Sequence, residues 1–309
     1  MDAMKLITHD ATAHRLSWRG ACDAILAGHR RPRAEIGDTF LGPSDATLLS
    51  RAAYIPDLGY GVKSVSVVAG NAARGLPTVQ GAMLVFAPGD GALSAVIESR
   101  LVTEFKTAAD SVLGAELLAR PDSRTLLVVG AGTVARSLVR AYSAIFPGLE
   151  RIAVWARDAD KARAFAEPFR DEGLPVEPAP DLAAAAAEAD IVSTATMTRT
   201  PILRGDWIRP GTHVDLIGAF KADMREADDA LIAGGRLFVD SRETTLHHIG
   251  ELMIPLASGA LREADVRADL YDLAAGAEGR TSPRDITVFK NGGGAHLDLM
   301  IAGYIASVA

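Results

Sequence analysis

A short loop with the sequence GAGTVA constrains the fold of this 309-residue chain more than any other segment. The loop follows the apolar run TLLVV and precedes TVARSLVRAYSAIF, which has the composition of a helix. A strand, a G-x-G-x-x-A loop and a helix in this order are typical of a βαβ unit that binds a dinucleotide. Gly130 permits a tight turn, Gly132 lets the backbone approach a pyrophosphate, and Ala135 lets helix and strand pack closely. The N–H groups of Thr133 and Val134, at the start of the helix, are predicted to bind the anion.

The segments after this loop continue to alternate between strands and helices. RIAVWA, ADIVSTAT, THVDLIGA and RLFVD predict strands, with helical segments between them. This alternation predicts a doubly wound parallel sheet with helices on both faces, which is the Rossmann arrangement. Before the loop, VKSVSVVAG, GAMLVFAPG and LSAVIES follow one another without intervening helices, and they predict an antiparallel sheet. The predicted fold class is therefore α/β, with a Rossmann domain and a second, α+β domain.

The chain is longer than one hydrophobic core usually serves, so we expect two domains. A helix beginning near Thr103 is predicted to lead from the first domain to the second. After Asp285 the strand DITVFK, the turn NGGGA and the helix HLDLMIAGYIASVA are expected to return to the first domain. The predicted boundaries are 1–115 with 285–309 for this discontinuous domain, and 116–284 for the Rossmann domain.

Composition excludes several classes of function. The net charge of −7 and the isoelectric point of about 5.5 argue against nucleic acid as a partner, because no basic stripe is available. The single cysteine, Cys22, cannot form an internal disulfide, and the first ten residues lack the pattern of a signal peptide. No apolar run approaches the roughly 20 residues of a membrane helix. We expect a cytoplasmic protein that does not bind membranes. We also expect no metal site, because His247 and His248 are adjacent and zinc-type Cys/His spacing is absent from the sequence.

The end of the second Rossmann strand indicates which dinucleotide is bound. An Asp or Glu there would bond the ribose 2′-hydroxyl of NAD, but this chain has Ala156 and Arg157. A guanidinium suits a 2′-phosphate, so NADP(H) is preferred and NAD(H) is the alternative. The other interpretation of Arg157 is a solvated surface residue. Thr194 and Thr196 end a later strand and are predicted to contact the cofactor, with an ordinary strand-end role as the alternative.

Four polar residues before the loop are candidates for binding a substrate: Arg33, Lys63, Thr78 and Lys106. Lys63 lies in a valine-rich strand, where a buried ammonium group is costly without a partner. It faces either a cleft or anion, or the solvent side of a half-buried strand, and the spacing leaves both interpretations open. Lys106 by itself has the pattern of a residue on a helix surface.

Motifs along the whole chain resemble the ornithine cyclodeaminase/mu-crystallin family. They are GVKSVSVVAGNAARGLPT, LVTEFKTAADS, VVGAGTVA, ADIVSTATMTRTPIL, GTHVDLIGAFKADMRE and SPRDITVFKNGGGAHLDL. The resemblance implies a homodimer whose first domain supplies both the subunit contact and the substrate pocket. It also implies a Rossmann domain that presents nicotinamide to that pocket, and a substrate with an α-amino or α-imino carboxylate.

The resemblance also implies roles for individual residues. Arg33, Lys63 and Thr78 fall on the positions that hold the carboxylate region of the substrate. Lys106 falls on the family's usual arginine, and a lysine keeps the charge but loses the two-pronged grip on a carboxylate. Lys63 is predicted to lie near the proton path, with water as the alternative. Arg33, Lys63 and Lys106 form the predicted catalytic set.

Two departures from the family pattern bear on the reaction. Cyclodeaminases carry an aspartate where this chain has Phe220, and a glutamate near Ser50. Losing both acids weakens the case for ornithine cyclisation, which must deprotonate and orient an amine. Phe220 instead suits an apolar wall beside a flat ring. Gly293, in the turn NGGG, is predicted to let the backbone approach nicotinamide or substrate, with a tight turn as the alternative.

These features together predict the NAD(P)H-dependent reduction of a cyclic ketimine carboxylate. The substrate is Δ1-pyrroline-2-carboxylate and/or Δ1-piperideine-2-carboxylate, and the product L-proline or L-pipecolate. The alternatives are an ornithine cyclodeaminase, an open-chain amino-acid dehydrogenase such as alanine dehydrogenase, and a non-catalytic, crystallin-like protein that binds NADPH. Asp298 is predicted to be structural, and the charges that follow Phe220 are predicted to cap and start the next helix: Lys221, Asp223, Arg225 and Glu226.

Overall fold

The chain forms two compact units. The computed structural model describes residues 4–309, apart from the side chain of Ala72. The first unit consists of the described residues up to Ala109 together with Gly294–Ala309, and the second consists of Asp110–Gly293. The first unit is therefore discontinuous in sequence, as predicted.

Each unit contains one β-sheet. The strands of the first sheet are β1 (Lys5–Ile7), β2 (Glu35–Leu41), β3 (Ala46–Ile55), β4 (Gly59–Val68), β5 (Val79–Phe86) and β6 (Leu93–Glu98). The strands of the second are β7 (Thr125–Val129), β8 (Arg151–Trp155), β9 (Val176–Pro178), β10 (Ile191–Thr194), β11 (His213–Leu216), β12 (Arg236–Val239), β13 (Val266–Asp269) and β14 (Thr287–Lys290).

Helices cover and connect the two sheets. The α-helices are α1 (His9–Thr12), α2 (Trp18–His29), α3 (Ser99–Leu118), α4 (Thr133–Ile145), α5 (Ala159–Asp171), α6 (Leu182–Glu188), α7 (Asp229–Gly234), α8 (Arg242–Thr245), α9 (Gly250–Ser258), α10 (Leu270–Ala274) and α11 (Ala295–Val308). Short 3₁₀ helices occupy Ala13–Arg15, Ala69–Arg74, Gly205–Trp207 and Glu263–Asp265. Among residues 4–309, none of the helices is long and apolar enough to cross a membrane.

The first sheet has the order β1-β6-β5-β4-β3-β2. Only β1 and β6 pair in parallel; the other neighbours are antiparallel. Side chains of β4 alternate between two faces, as the two-residue period of a strand requires. Gly61, Lys63 and Val65 are buried on one face, whereas Tyr60 on the other is 47% exposed. The predicted antiparallel strands are confirmed, and β1, β2 and β3 extend the sheet beyond them.

Helix α11 packs closely on α2 and on the buried face of the first sheet. A methyl group added at Gly28 of α2 would lie 2.4 Å from Met300 Cγ. One added at Gly61 of β4 would lie 2.9 Å from Leu299 Cδ1. The two glycines therefore let α11 approach both elements, which brings the acidic Asp298 of α11 to the sheet.

The second sheet is entirely parallel and has the order β13-β12-β14-β11-β10-β7-β8-β9. Its central strands are buried on both faces, which explains their continuous apolar runs. The core around these strands includes Leu127, Val192, Val214 and Val288, all 0% exposed. Each such side chain contributes about 1.5–3 kcal/mol of burial free energy. The predicted Rossmann arrangement is confirmed.

Both sequence boundaries between the two units differ from the predicted ones. The predicted boundary after residue 115 falls inside α3, which begins in the first unit and ends in the second. The strand DITVFK was expected in the first domain, but β14 pairs with β11 and β12 of the second sheet. All four residues of β14 are buried, as a central parallel strand requires, so the chain returns to the first unit only at Gly294.

Candidate functional site

The GAGTVA loop joins β7 to α4, as predicted. Gly130 has φ of 125°, a conformation that residues with a side chain rarely adopt. Its N–H donates to the carbonyl oxygen of Trp155 at 2.8 Å. A methyl group added to it would lie 2.7 Å from the carbonyl oxygen of Ala195. Glycine is therefore required here by the turn and by the close approach of the strand ends.

The N-terminus of α4 is open. Its N-cap residue is Gly132, and among the described residues no side chain accepts a hydrogen bond from the first turn. A methyl group added at Gly132 would have no described neighbour within 4 Å. By contrast, α5, α6 and α7 begin with Asp158, Asp181 and Asp228, whose carboxylates accept N–H groups of the first turn. Uncapped N–H groups, the positive end of the helix dipole and free space fit the pyrophosphate of a dinucleotide.

The strand order places this loop at a topological switch point. From β7 the chain continues to β8 and β9 on one side, and then crosses back to β10 on the other side. In doubly wound sheets, the crevice at the carboxyl ends of the two strands that flank such a reversal binds nucleotides. Gly130 follows β7, and Thr194 to Thr196 end β10, so these residues lie at that crevice.

A buried glutamate, Glu226, holds both of these threonines. The hydroxyl of Thr194 donates to Glu226 Oε2 at 2.7 Å, and the hydroxyl of Thr196 donates to Oε1 at 2.6 Å. The backbone N–H groups of Thr196 and Gly218 donate to the same carboxylate at 2.7 and 2.6 Å. The prediction that Lys221, Asp223, Arg225 and Glu226 cap and start the next helix is wrong, because α7 begins at Asp229 with Asp228 as its N-cap. Glu226 is instead 0% exposed.

Other ionisable groups are buried around Glu226. Lys290, at the end of β14, donates to the carbonyl oxygens of Leu216 and Ala219 at 2.9 and 2.8 Å. Burial raises the pKa of Asp215 to about 7, and burial likewise raises the pKa of Glu251 to about 7. The positive charge of Lys290 opposes both shifts, and the negative charge of Glu226 adds to both.

Arg157 and Asp158 follow β8. Arg157 is exposed, and Asp158 Oδ1 accepts the N–H of Asp160 at 3.0 Å, which confirms the predicted N-cap. The guanidinium of Arg157 makes no hydrogen bond or ion pair within residues 4–309. It is therefore available for a ligand beside the second strand of the nucleotide-binding unit.

In the first unit, Lys63 forms an ion pair with Asp298. The distance from Lys63 Nζ to Asp298 Oδ1 is 2.6 Å, and the residues are 7% and 1% exposed. Lys63 therefore lies on the buried side of β4 and faces an anion, which settles the alternative that the sequence left open. Asp298 holds its ammonium group and supplies the charge that makes its burial tolerable.

Positive charges gather near the start of α11, around His296. Burial lowers the pKa of His296 well below its usual range, and His29, Lys106, Arg51 and Arg33 lower it further. The structure thus brings Arg33 and Lys106 into one electrostatic neighbourhood, two residues along α11 from the partner of Lys63. Arg33 is exposed, whereas Lys106 is 8% exposed on α3.

The remaining predicted residues have separate surroundings. Thr78 immediately precedes β5, and its carbonyl oxygen accepts the N–H of Val68 at 2.9 Å. Phe220 is 54% exposed, with Lys221 Nζ 5.6 Å from its ring centroid. Gly293 has φ of 71°, and its N–H donates to the buried carboxylate of Asp240 at 2.5 Å. The glycine turn is therefore fixed by an acid that the sequence reasoning did not identify.

No group of three or more His, Cys, Asp or Glu side chains within residues 4–309 could hold a metal ion. Sequence reasoning also missed Glu226, Glu251 and Lys290. The sequence gives one indication that Lys290 belongs to the site, because a charged residue there ends an apolar strand. It gives none for Glu226, because the charged stretch around that residue has the composition of a solvent-exposed segment.

The sheet order, the glycine loop and the open helix terminus define a protein of the Rossmann dinucleotide-binding class. Comparison with known proteins then specifies the family. The model of the ornithine cyclodeaminase/mu-crystallin family matches residues 52–308. The chain belongs to this family, as its motifs predicted.

Three known proteins illustrate the similarity. A Δ1-pyrroline-2-carboxylate reductase of Paracoccus denitrificans is 65% identical over 300 residues, which cover 97% of this chain and 95% of that protein. The Thermococcus litoralis Δ1-pyrroline-2-carboxylate reductase, solved with NADH and L-proline, has a TM-score of 0.92 and 29% identity, covering 99% and 97% of the two chains. An archaeal alanine dehydrogenase dimer with bound NAD has a TM-score of 0.89 and 26% identity, covering 99% and 96%.

Proposed function

We propose that this protein reduces a cyclic ketimine carboxylate with NAD(P)H. The substrate is Δ1-pyrroline-2-carboxylate and/or Δ1-piperideine-2-carboxylate, and the product is L-proline or L-pipecolate. The observation that carries the proposal is the cationic cluster of the first unit. The chain is also 65% identical to a Δ1-pyrroline-2-carboxylate reductase. We propose that this unit binds the substrate and that the second unit binds the cofactor.

The cationic side chains of the cluster support an anionic substrate. Arg33, Arg51, Lys63 and Lys106 contribute four positive charges. Asp298 pairs with Lys63, and Asp38 accepts three hydrogen bonds from Arg51, at 2.8, 3.0 and 3.1 Å. The carboxylate of a substrate would be attracted to these cationic side chains. Arg33 and Lys106 are proposed to hold that carboxylate, and Thr78 to border it.

The proposed reaction uses these residues as follows. When bound, the nicotinamide supplies the hydride that reduces the imine carbon. The residues of the chain hold the ring in place, and the cationic cluster favours the anionic substrate. The ammonium group of Lys63, held by Asp298, is proposed to lie near the nitrogen that gains a proton. Phe220 and Gly293 are proposed to border the ring and the nicotinamide.

A direct assay tests the reaction. Purified protein is mixed with NADPH or NADH and either cyclic imine, and the loss of absorbance at the wavelength of the reduced cofactor is followed. Oxidation with at least one ring is expected, together with formation of proline or pipecolate. Oxidation with neither ring contradicts the proposal, whereas ammonia release from ornithine would indicate a cyclodeaminase.

We propose that NADP(H) is preferred over NAD(H), because Arg157 is exposed at the end of β8 and can pair with a 2′-phosphate. The relatives above were solved with NADH and NAD, so this preference concerns the present chain. Arg157→Ala is expected to weaken NADPH binding by about tenfold and leave NADH binding unchanged. Arg170→Ala, which removes an exposed arginine of α5, is the control. Equal loss for both cofactors, or for neither, contradicts the assignment.

We propose a homodimer that uses the first sheet. Its exposed face and edge carry large apolar side chains that are each at least 43% exposed: Phe40, Leu41, Leu48, Tyr60 and Val79. The archaeal alanine dehydrogenase was solved as a dimer. Sedimentation velocity is expected to give a dimer for the parent and a monomer for Leu41→Glu. We also propose a cytoplasmic location, in keeping with the single, buried Cys22, which forms no disulfide within residues 4–309.

A further inference from the structure

We infer that Glu226 is a positioning residue for the cofactor: its buried carboxylate fixes the ends of β10 and β11 at the nucleotide crevice. The inference rests on the proposed use of a nicotinamide cofactor. Glu226 lies in neither strand and contacts the crevice only through Thr194, Thr196 and Gly218. It therefore acts through other residues and is not itself a catalytic residue.

The carboxylate is saturated with hydrogen bonds. Oε1 accepts the hydroxyl and the backbone N–H of Thr196, and Oε2 accepts the hydroxyl of Thr194 and the N–H of Gly218. All four distances lie between 2.6 and 2.7 Å. Because an amide or hydroxyl in the same place could not accept from four donors, only a carboxylate satisfies the whole set. Two neighbouring strand ends are thereby tied to one rigid group.

The surroundings are built to keep this acid in place. Glu226 is itself anchored, because its backbone N–H donates to Glu251 Oε2 at 2.8 Å. Lys290 donates to the carbonyl oxygens of Leu216 and Ala219, at the end of β11. Glu226 accepts the N–H of Gly218 in the same segment, so the two charged side chains fix the end of β11 together. A methyl group added at Gly218 would lie 2.5 Å from Glu226 Oε1 and 1.9 Å from the carbonyl oxygen of Thr196. Only glycine leaves room for the carboxylate to reach both strands.

The arrangement also sets the polarity of the crevice. A hydroxyl has one proton, and Thr196 gives it to Glu226. The oxygen of Thr196 can therefore only accept a hydrogen bond from a ligand. Its side chain is partly exposed, whereas Thr194 is fully buried. Glu226 thus prepares Thr196 to receive an N–H or O–H donor, which the carboxamide and ribose of a nicotinamide nucleotide both provide.

The test compares matched variants. Glu226→Gln keeps the size of the side chain but replaces an acceptor with an NH₂ group that faces N–H and O–H donors. It is expected to raise the Kd for NADH about tenfold or more, measured by fluorescence, while the substrate KM stays unchanged. Amide hydrogen exchange is expected to accelerate in residues 194–198 and 216–220. Glu278→Gln, at an exposed loop position, is the control and should match the parent.

A second pair of variants keeps the test decisive if Glu226→Gln does not fold. Thr196→Val removes one hydroxyl, and Thr196→Ser retains it. The valine variant is expected to bind NADH several-fold more weakly, and the serine variant is expected to bind like the parent. Unchanged NADH binding in both Glu226→Gln and Thr196→Val, with a parent that binds NADH, overturns the inference. A parent that binds neither NADH nor NADPH overturns the proposed function itself.

Discussion

Because the carboxyl group of Asp215 is buried, we expect it to give stability an unusual dependence on pH. It is 0% exposed in β11, and burial raises its pKa from 3.8 to about 7, although a hydrogen bond from Ser193 Oγ at 2.5 Å opposes the shift. The folded protein therefore keeps a proton that the unfolded chain loses above about pH 4. The contribution of Asp215 to stability therefore falls as pH rises from about 4 to about 7, and levels off above that. A shift of about three units corresponds to a loss of about 4 kcal/mol from this group.

Asp215→Asn removes the ionisation while retaining an oxygen that accepts from Ser193. The variant is expected to be more stable than the parent by about 4 kcal/mol at pH 8. The difference should shrink to less than about half of that at pH 5, because this pH is only about one unit above the pKa of the aspartate in the unfolded chain. The prediction concerns the difference in free energy of unfolding between variant and parent, because other groups also change the stability of each protein with pH.

Urea unfolding between pH 5 and pH 8 measures this gap. Trp155 and Trp207 lie in the same unit as Asp215, whereas Trp18 lies in the first unit. A Trp18→Phe background therefore restricts the fluorescence signal to the unit of interest. Asp171→Asn, at an exposed helix position, is the control substitution. A constant difference between Asp215→Asn and its parent from pH 5 to pH 8 would refute the reasoning.

Three further substitutions have expected outcomes. Lys63→Met should abolish reductase activity and lower the free energy of unfolding by about 3–5 kcal/mol in thermal denaturation, because the substitution leaves the buried Asp298 without its counter-ion. The double variant with Asp298→Leu should regain stability but not activity. Gly130→Ala should weaken NADH binding at least about tenfold in a titration, since its Cβ would lie 2.7 Å from Ala195 O at a φ of 125°. Phe220→Asp should lower the rate of imine reduction and leave thermal stability unchanged, because the side chain is 54% exposed; an unchanged rate would remove Phe220 from the site.

Local sequence patterns predicted the elements whose structure depends on neighbouring residues. The glycine loop, the N-cap at Asp158 and the apolar strands of the second sheet all follow from the residues around them. The strand DITVFK was assigned to the wrong unit, because its pattern shows that it is buried but not which sheet it joins. A pattern of burial identifies a central strand without identifying its neighbours.

Most of the candidate site required knowledge of contacts between distant residues. The pairing of Lys63 with Asp298 joins residues 235 positions apart, and spacing near Lys63 left its orientation open. Glu226 lies in a charged stretch and is buried only because Thr194 and Thr196, about 30 positions earlier, turn their donors toward it. Neither partnership leaves a periodic signal in the sequence.

The return of the last helix to the first unit has a consequence for synthesis of the chain. Residues 110–293 are contiguous, so the second unit can fold while the chain is still being made. The first unit cannot be completed until Gly294–Ala309 has left the ribosome, because α11 supplies Asp298. Until then Lys63 has no counter-ion, and the sheet that carries it cannot bury it. Synthesis of the segment Gly294–Ala309 therefore determines when the first unit can adopt its final structure.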